Sequence, residues 1–109
     1  MTTTEERQAA ARTILEQLAG SQRRLIAMVG ARDFLVLENG VAFRIMANAA
    51  KARNVRITLS GDDTYCMEFG NIRGLEFKVR RSFEGLYFDQ LREIFEQTTE
   101  LYLSLGSQR

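Results

Sequence analysis

Between Val55 and Phe83 the chain carries three consecutive runs with an apolar residue at every second position: Val55, Ile57 and Leu59; Tyr65, Met67 and Phe69; Leu75, Phe77 and Val79. Period two is the pattern of strands with one face buried, and the breaks between the runs, Gly61-Asp62-Asp63 and Gly70-Asn71-Ile72-Arg73-Gly74, are rich in turn formers. An antiparallel β-meander with one dry face is predicted. The alternate positions, Arg56, Thr58, Ser60, Thr64, Cys66, Glu68, Glu76, Lys78 and Arg80, then make a polar face that meets water or a partner.

Upstream, Thr3 followed by Glu6 has the form of a capping box. With the apolar stripe Ala11, Ile14, Leu15 and Leu18 and the stop at Gly20, it predicts a helix over about 4–19. Leu25–Val29 is too short to classify by period and reads as a strand. Phe34–Leu37 and Val41–Met46 flank Asn39-Gly40, a pair that tolerates positive φ at both residues, and predict a hairpin. The connection from Ala47 to Asn54 reads as a loop or one helical turn. Downstream, Tyr87, Leu91, Ile94, Phe95, Thr98, Leu101 and Tyr102 recur at three and four, predicting a second helix over about 86–100. At about 1.5 Å per residue such a helix is long enough to cross the dry face of the sheet. The expected architecture is α+β: a two-layer sandwich in which a meander of about five strands is flanked by an N-terminal and a C-terminal helix. It occupies residues 1–109 as one domain, with flexible ends at about 1–3 and 105–109.

Composition narrows the function classes. A single cysteine, Cys66, cannot form an internal disulfide, no run reaches the ~20 apolar residues of a membrane span, and the first residues lack a signal-peptide pattern. The expected setting is the cytoplasm, with no membrane partner. Net charge is only +1. It is unevenly spread, however: Val41–Phe83 holds eight basic residues against four acids, whereas Glu84–Leu103 holds five acids against Arg92 alone. A basic sheet is expected beside an acidic helix.

Three stretches carry a resemblance: Ile26 to Phe34, Val55 to Phe69 with its Asp63-Thr64-Tyr65 turn, and Tyr87 with Asp89 and Leu91 leading to Leu101-Tyr102 and Ser104-Leu105. Together they resemble small uncharacterised proteins of bacteriophages, prophages and other bacterial mobile elements. The resemblance covers most of the chain beyond Leu18 and rests on aromatic, glycine and turn positions. Such proteins often have Gly just before the Leu-Tyr pair; here that position is Glu100, which implies that the helix runs on. No catalytic residues come with the resemblance. It implies a small accessory protein of a mobile element in a bacterial host cell.

Histidine is absent, which removes the commonest general base and metal ligand. Asp62 and Asp63, with Glu68 beyond, are weighed as a weak cation site and read as a turn. Cys66 has no histidine to activate it and reads as a passive thiol. Gly70 to Gly74 lacks the Gly-Lys-Ser/Thr of a P-loop and reads as a hairpin turn. No enzyme, no cofactor and no metal site are expected.

Binding is therefore the expected mode of action, with two candidate surfaces. Arg44, Arg56, Lys78 and Arg80 share the outward parity of separate strands, with Arg53, Arg73 and Arg81 at the edge, an arrangement suited to a phosphate backbone. The bland reading is a solvated face whose Glu68 and Glu76 pair with arginines. Asp89, Glu93, Glu96 and Glu100 form a negative stripe on the second helix, which is either its wet side or a contact for a host protein, as in an anti-defence or regulatory inhibitor. The two charged surfaces also permit a homodimer.

Overall fold

The computed structural model describes residues 3–103. Helix α1 (Thr4–Ala19) opens on the capping box: Thr3 Oγ1 accepts from Glu6 N at 3.1 Å and Glu6 Oε1 accepts from Thr3 N at 3.0 Å. Thr3 is thus held in place, and the remainder of both chain ends expected to be flexible lies outside the described residues. Helix α2 (Gln22–Val29) follows, then strands β1 (Arg32–Val36), β2 (Gly40–Arg44), β3 (Asn54–Leu59), β4 (Tyr65–Arg73) and β5 (Glu76–Leu86). A 3₁₀ turn (Phe88–Gln90) leads into helix α3 (Leu91–Thr99). The strands form one antiparallel sheet in sequence order. The fold is α+β, with helices on one face of a five-stranded meander.

One face of the sheet is buried, and its residues are those the alternation selects. Val41, Phe43, Val55, Ile57, Tyr65, Met67 and Phe69 pack with Ile14, Leu15 and Leu18 of α1 and with Leu91 and Phe95 of α3. Phe69 meets Phe95 at 6.0 Å and Phe83 edge-on at 6.1 Å between ring centroids. Polar links lock the layers together: Tyr65 Oη donates to Gln17 Oε1 at 2.8 Å, and Arg92 Nε donates to the Leu18 carbonyl at 3.2 Å.

Five expectations are corrected. Leu25–Val29 lies in helix α2 and not in a strand. Ser21 caps that helix by accepting from Arg24 N at 3.0 Å, Gly30 closes it in the left-handed conformation, and Leu25 and Val29 are buried one turn apart while Ile26 is 47% exposed. The bounding Ser and Gly outweigh an apolar run that has no period of its own. The predicted 86–100 helix is shorter, because Tyr87 stays extended and a 3₁₀ turn precedes Leu91.

The same helix does not run on past Thr99. Glu100 itself takes the left-handed conformation, φ 60°, and its N–H donates to the Glu96 carbonyl. Glu100 occupies a C-terminal stop that glycine fills at lower steric cost. At the β1–β2 hairpin, Gly40 has no positive φ. Glycine is needed there because a Cβ would run into the backbone carbonyl of Ile57 on β3.

The largest correction concerns the third alternating run. Strand β4 continues through Gly70 to Arg73, so the turn is Gly74-Leu75, and Leu75 is fully exposed. The β4–β5 register shifts between Phe69 and Gly70: Phe69 lies opposite Arg81, but Gly70 lies opposite Val79. The extra residue is a β-bulge on β5, and it inverts the parity of everything beyond it. Phe77 and Val79 therefore leave the core side, with Ile72, which lies opposite Phe77.

The loop between β2 and β3 is organised by two asparagines. Asn48 Nδ2 donates to the carbonyls of Met46 (2.9 Å) and Ala52 (2.7 Å), while Asn48 Oδ1 accepts from Ala50 N (3.0 Å). Asn71 accepts from Arg53 N (3.0 Å) and donates to the Lys51 carbonyl (2.9 Å), tying the loop to β4. Two substitutions test these assignments. Glu100→Gly should raise stability by roughly 0.5–1 kcal/mol in urea unfolding by relieving the left-handed residue. Asn48→Ala should lower it by about 1–3 kcal/mol, because it strands buried backbone groups.

Candidate nucleic-acid interface

The face of the sheet away from the helices carries a definite row of side chains, set by the pairing register. Leu35, Ala42, Arg56, Glu68 and Ser82 lie opposite one another across the five strands. The adjacent row holds Arg32, Arg44, Asn54, Gly70 and Val79, and beyond it Ile72 pairs with Phe77. Among the described residues no helix lies over this face, because the helices pack on the opposite face with the core.

Arg56 is held on this face by two partners. Its Nε and Nη2 both reach Glu68 Oε1, at 2.8 Å and 2.7 Å, across the β3–β4 pair. Its guanidinium carbon stands 4.5 Å from the centroid of the Phe77 ring. The carboxylate and the aromatic ring together hold the guanidinium in place. Phe77 is half-buried beneath it, and Val79 (45% exposed) and Ile72 (60% exposed) continue the apolar ground around it.

The other basic residues expected to converge do not all do so. Arg44 lies on the open face, directly opposite Arg32, a residue the sequence reading passed over. Lys78 pairs in register with Asn71 and Arg81 with the buried Phe69, so both have the parity of the helix side. Arg80 stands at the bulge, where its Nε donates to the Ala50 carbonyl at 3.3 Å. Arg53 Nε donates to the Ile45 carbonyl at 2.9 Å, which makes Arg53 a tie within the β2–β3 connection. Arg73 is exposed at the end of β4. Arg44 and Arg56 keep the open face because the β2–β3 and β3–β4 registers are unbroken, whereas the bulge on β5 turns Lys78 away from them. It also delivers Phe77, which alternation had assigned to the core.

The far end of the open face is acidic. Ser60, Asp62, Thr64, Cys66, Glu84 and Gly85 line a shallow hollow of about 540 Å³. Asp62 accepts from Thr64 Oγ1 at 2.7 Å and Thr64 N at 3.2 Å, and these bonds to its carboxylate hold its pKa below the usual range. That geometry is the turn weighed against a cation site. Partial burial, then the charges of Glu68 and Glu84, push the Cys66 thiol up, so it is a poor nucleophile where it stands. Among the described residues, no three of Cys, Asp and Glu come together to hold a metal, and no helix is long and apolar enough to cross a membrane.

On the opposite side of the molecule, Asp89, Arg92, Glu93, Glu96, Gln97 and Tyr102 line an open groove of about 460 Å³ along α3. Three of the four acids expected there are brought together. Glu100 lies apart from them as the helix stop, and Glu96 is partly engaged, accepting from Leu103 N at 2.9 Å.

Comparison with family models, curated proteins and solved structures finds no match to this chain. The residues themselves must therefore carry the functional reading.

The thiol offers a direct check of the local electrostatics. Because its pKa is raised, Cys66 should react with iodoacetamide at pH 8 several-fold more slowly than the same residue in urea-unfolded protein, with the rate climbing into higher pH. Glu68→Gln should move the pH–rate profile toward lower pH by removing one of the charges that raise it.

Proposed function

We propose that this chain is a non-catalytic binding protein that takes single-stranded nucleic acid on the open face of its sheet. The observation that carries the reading is the Arg56–Phe77 stack on a sheet face left bare by the helices. Single-strand binding needs two things, cations along the backbone and flat groups on which bases stack, and a guanidinium plane or an aromatic ring serves for stacking. Arg32 and Arg44 supply the cations. Phe77 on β5 is three strands from Arg44 on β2, roughly 14 Å at about 4.8 Å per strand gap, the reach of a few nucleotides. Duplex is the poorer fit, because a single basic corner on a mixed surface offers few phosphate contacts.

A non-catalytic role is supported by the chemistry of the chain. It has no histidine, and its one thiol lies among carboxylates that oppose ionisation. With the resemblance to small proteins of phages and mobile elements, this describes an accessory protein acting in the cytoplasm of a bacterial host. The second reading, a protein-directed inhibitor, is favoured by the groove on α3, where Asp89, Glu93 and Glu96 lie beside Tyr102 and match a basic segment of a host protein or of a second copy.

Fluorescence anisotropy of labelled single-stranded DNA, single-stranded RNA and duplex DNA, each across a salt series, tests the leading reading. Single strands should bind more tightly than duplex, and binding should weaken as salt rises. Phe77→Ala should cost about 5- to 150-fold in affinity, corresponding to roughly 1–3 kcal/mol for one stacked base. The double variant Arg44→Glu and Arg56→Glu should abolish binding. Absence of binding at low salt would overturn the reading. In that case Glu93→Lys with Glu96→Lys becomes the informative variant for capture of a protein partner.

A further inference from the structure

Arg32 and Arg44 lie directly opposite each other on β1 and β2, an arrangement that is unfavourable unless something answers the two charges. Among the described residues no carboxylate lies within ion-pair distance of either, and the Nε of Arg44 is shielded from water without a hydrogen-bond partner. Three other arginines of the sheet region have specific partners: Arg56 has Glu68, Arg53 the Ile45 carbonyl and Arg80 the Ala50 carbonyl. The opposition is also a product of local backbone geometry. Counting back from Leu35 at period two would put Arg32 on the helix side. The β1–β2 register gains one extra residue between Arg32 and Leu35, with Asp33 at φ 57°, and this bulge turns Arg32 onto the open face beside Arg44. Ala42, next along the strand on that face, has a small side chain.

From this we infer that Arg32 and Arg44 form a clamp for one phosphodiester of a single-stranded nucleic acid. Two planar guanidinium forks on paired residues of neighbouring strands can share the oxygens of a tetrahedral anion, and an anion there cancels the repulsion. The clamp rests on the nucleic-acid reading, and it divides the work within it. Arg56, already neutralised by Glu68, stacks beneath a base with Phe77 and makes no net phosphate contact. Arg32 and Arg44 hold the backbone.

Two measurements on the full chain test this separately from the nucleic-acid reading. In the first, inorganic pyrophosphate is titrated into ¹⁵N-labelled protein while the arginine Nε–H signals are followed. Those of Arg32 and Arg44 should shift saturably, and those of Arg53 and Arg80 should stay. In the second, the log–log salt dependence of single-strand binding is compared across variants. Arg44→Gln and Arg32→Gln should each flatten the slope by up to about 0.7, the value for one phosphate contact on a single strand, whereas Arg56→Gln should weaken binding with the slope unchanged. Arg44→Lys, which keeps the charge and loses the fork, should retain the slope, and thermal unfolding of each variant confirms that it is folded. A wild-type protein that binds oligonucleotide with the same slope as Arg44→Gln and Arg32→Gln overturns the clamp and leaves the nucleic-acid reading standing. Pyrophosphate shifts at Arg32 and Arg44 without oligonucleotide binding support an anion clamp and overturn the nucleic-acid reading, pointing instead to an acidic protein segment. No pyrophosphate shift and no oligonucleotide binding overturn both.

Discussion

The packing of Phe69 against Phe95 and Phe83 is the joint on which the molecule turns. Phe69 is fully buried at the middle of the longest hairpin, and burying it commits the β4 face to the helices. Because side chains alternate strictly along a strand, that commitment settles which face of β3 and β4 is dry and which is bare. Immediately after Phe69 the pairing with β5 slips by one residue. The slip costs the core nothing, since Gly70 follows and the helices do not extend over the hairpin tip. A Cβ at Gly70 would strike the Lys78 backbone carbonyl, so the bulge and the glycine belong together.

The bulge gives the two halves of the β4–β5 hairpin different uses. Near its base the strands are part of the core layer, through Tyr65, Met67, Phe69 and Phe83. Toward its tip, Phe77, Val79 and Ile72 appear on the bare face beside Arg56. A bulge in β1 acts in the same way on Arg32, and a further slip at the base of the β4–β5 hairpin, between Tyr65 and Met67, lies among core residues. The bulges beside Phe69 and in β1 are each one-residue insertions that re-aim the side chains beyond them.

The charge distribution then follows from the topology. The basic corner gathers on β1, β2 and β3, where Arg32, Arg44 and Arg56 point away from the helices. The acidic residues collect at the opposite end of the same face, around Glu84 and Asp62, and along α3. Several arginines that add to the positive count along the chain act as internal ties: Arg53 and Arg80 donate to loop carbonyls and Arg92 to the end of α1. A local excess of charge in a sequence is therefore a poor guide to an electrostatic surface, because a guanidinium has five donors and backbone carbonyls compete for them.

What the chain specifies locally could be read from it directly. The capping box at Thr3 and Glu6, the stripe of α1, the alternation through Val55 to Phe69 and the apolar face around Leu91 and Phe95 each depend on near neighbours, and the α+β meander with flanking helices follows from them. Helix α2 was legible in principle from Ser21 and Gly30, although its five apolar residues in a row carry no period. The open face was legible only in part: alternation places Arg44 and Arg56 there, but it assigns Phe77 to the core and leaves Arg32 on the helix side. Only the tertiary structure decided those two, because each depends on a register slip against a neighbouring strand. Period two along a sequence assumes unbroken pairing, and one extra residue in one strand exchanges the faces of everything beyond it.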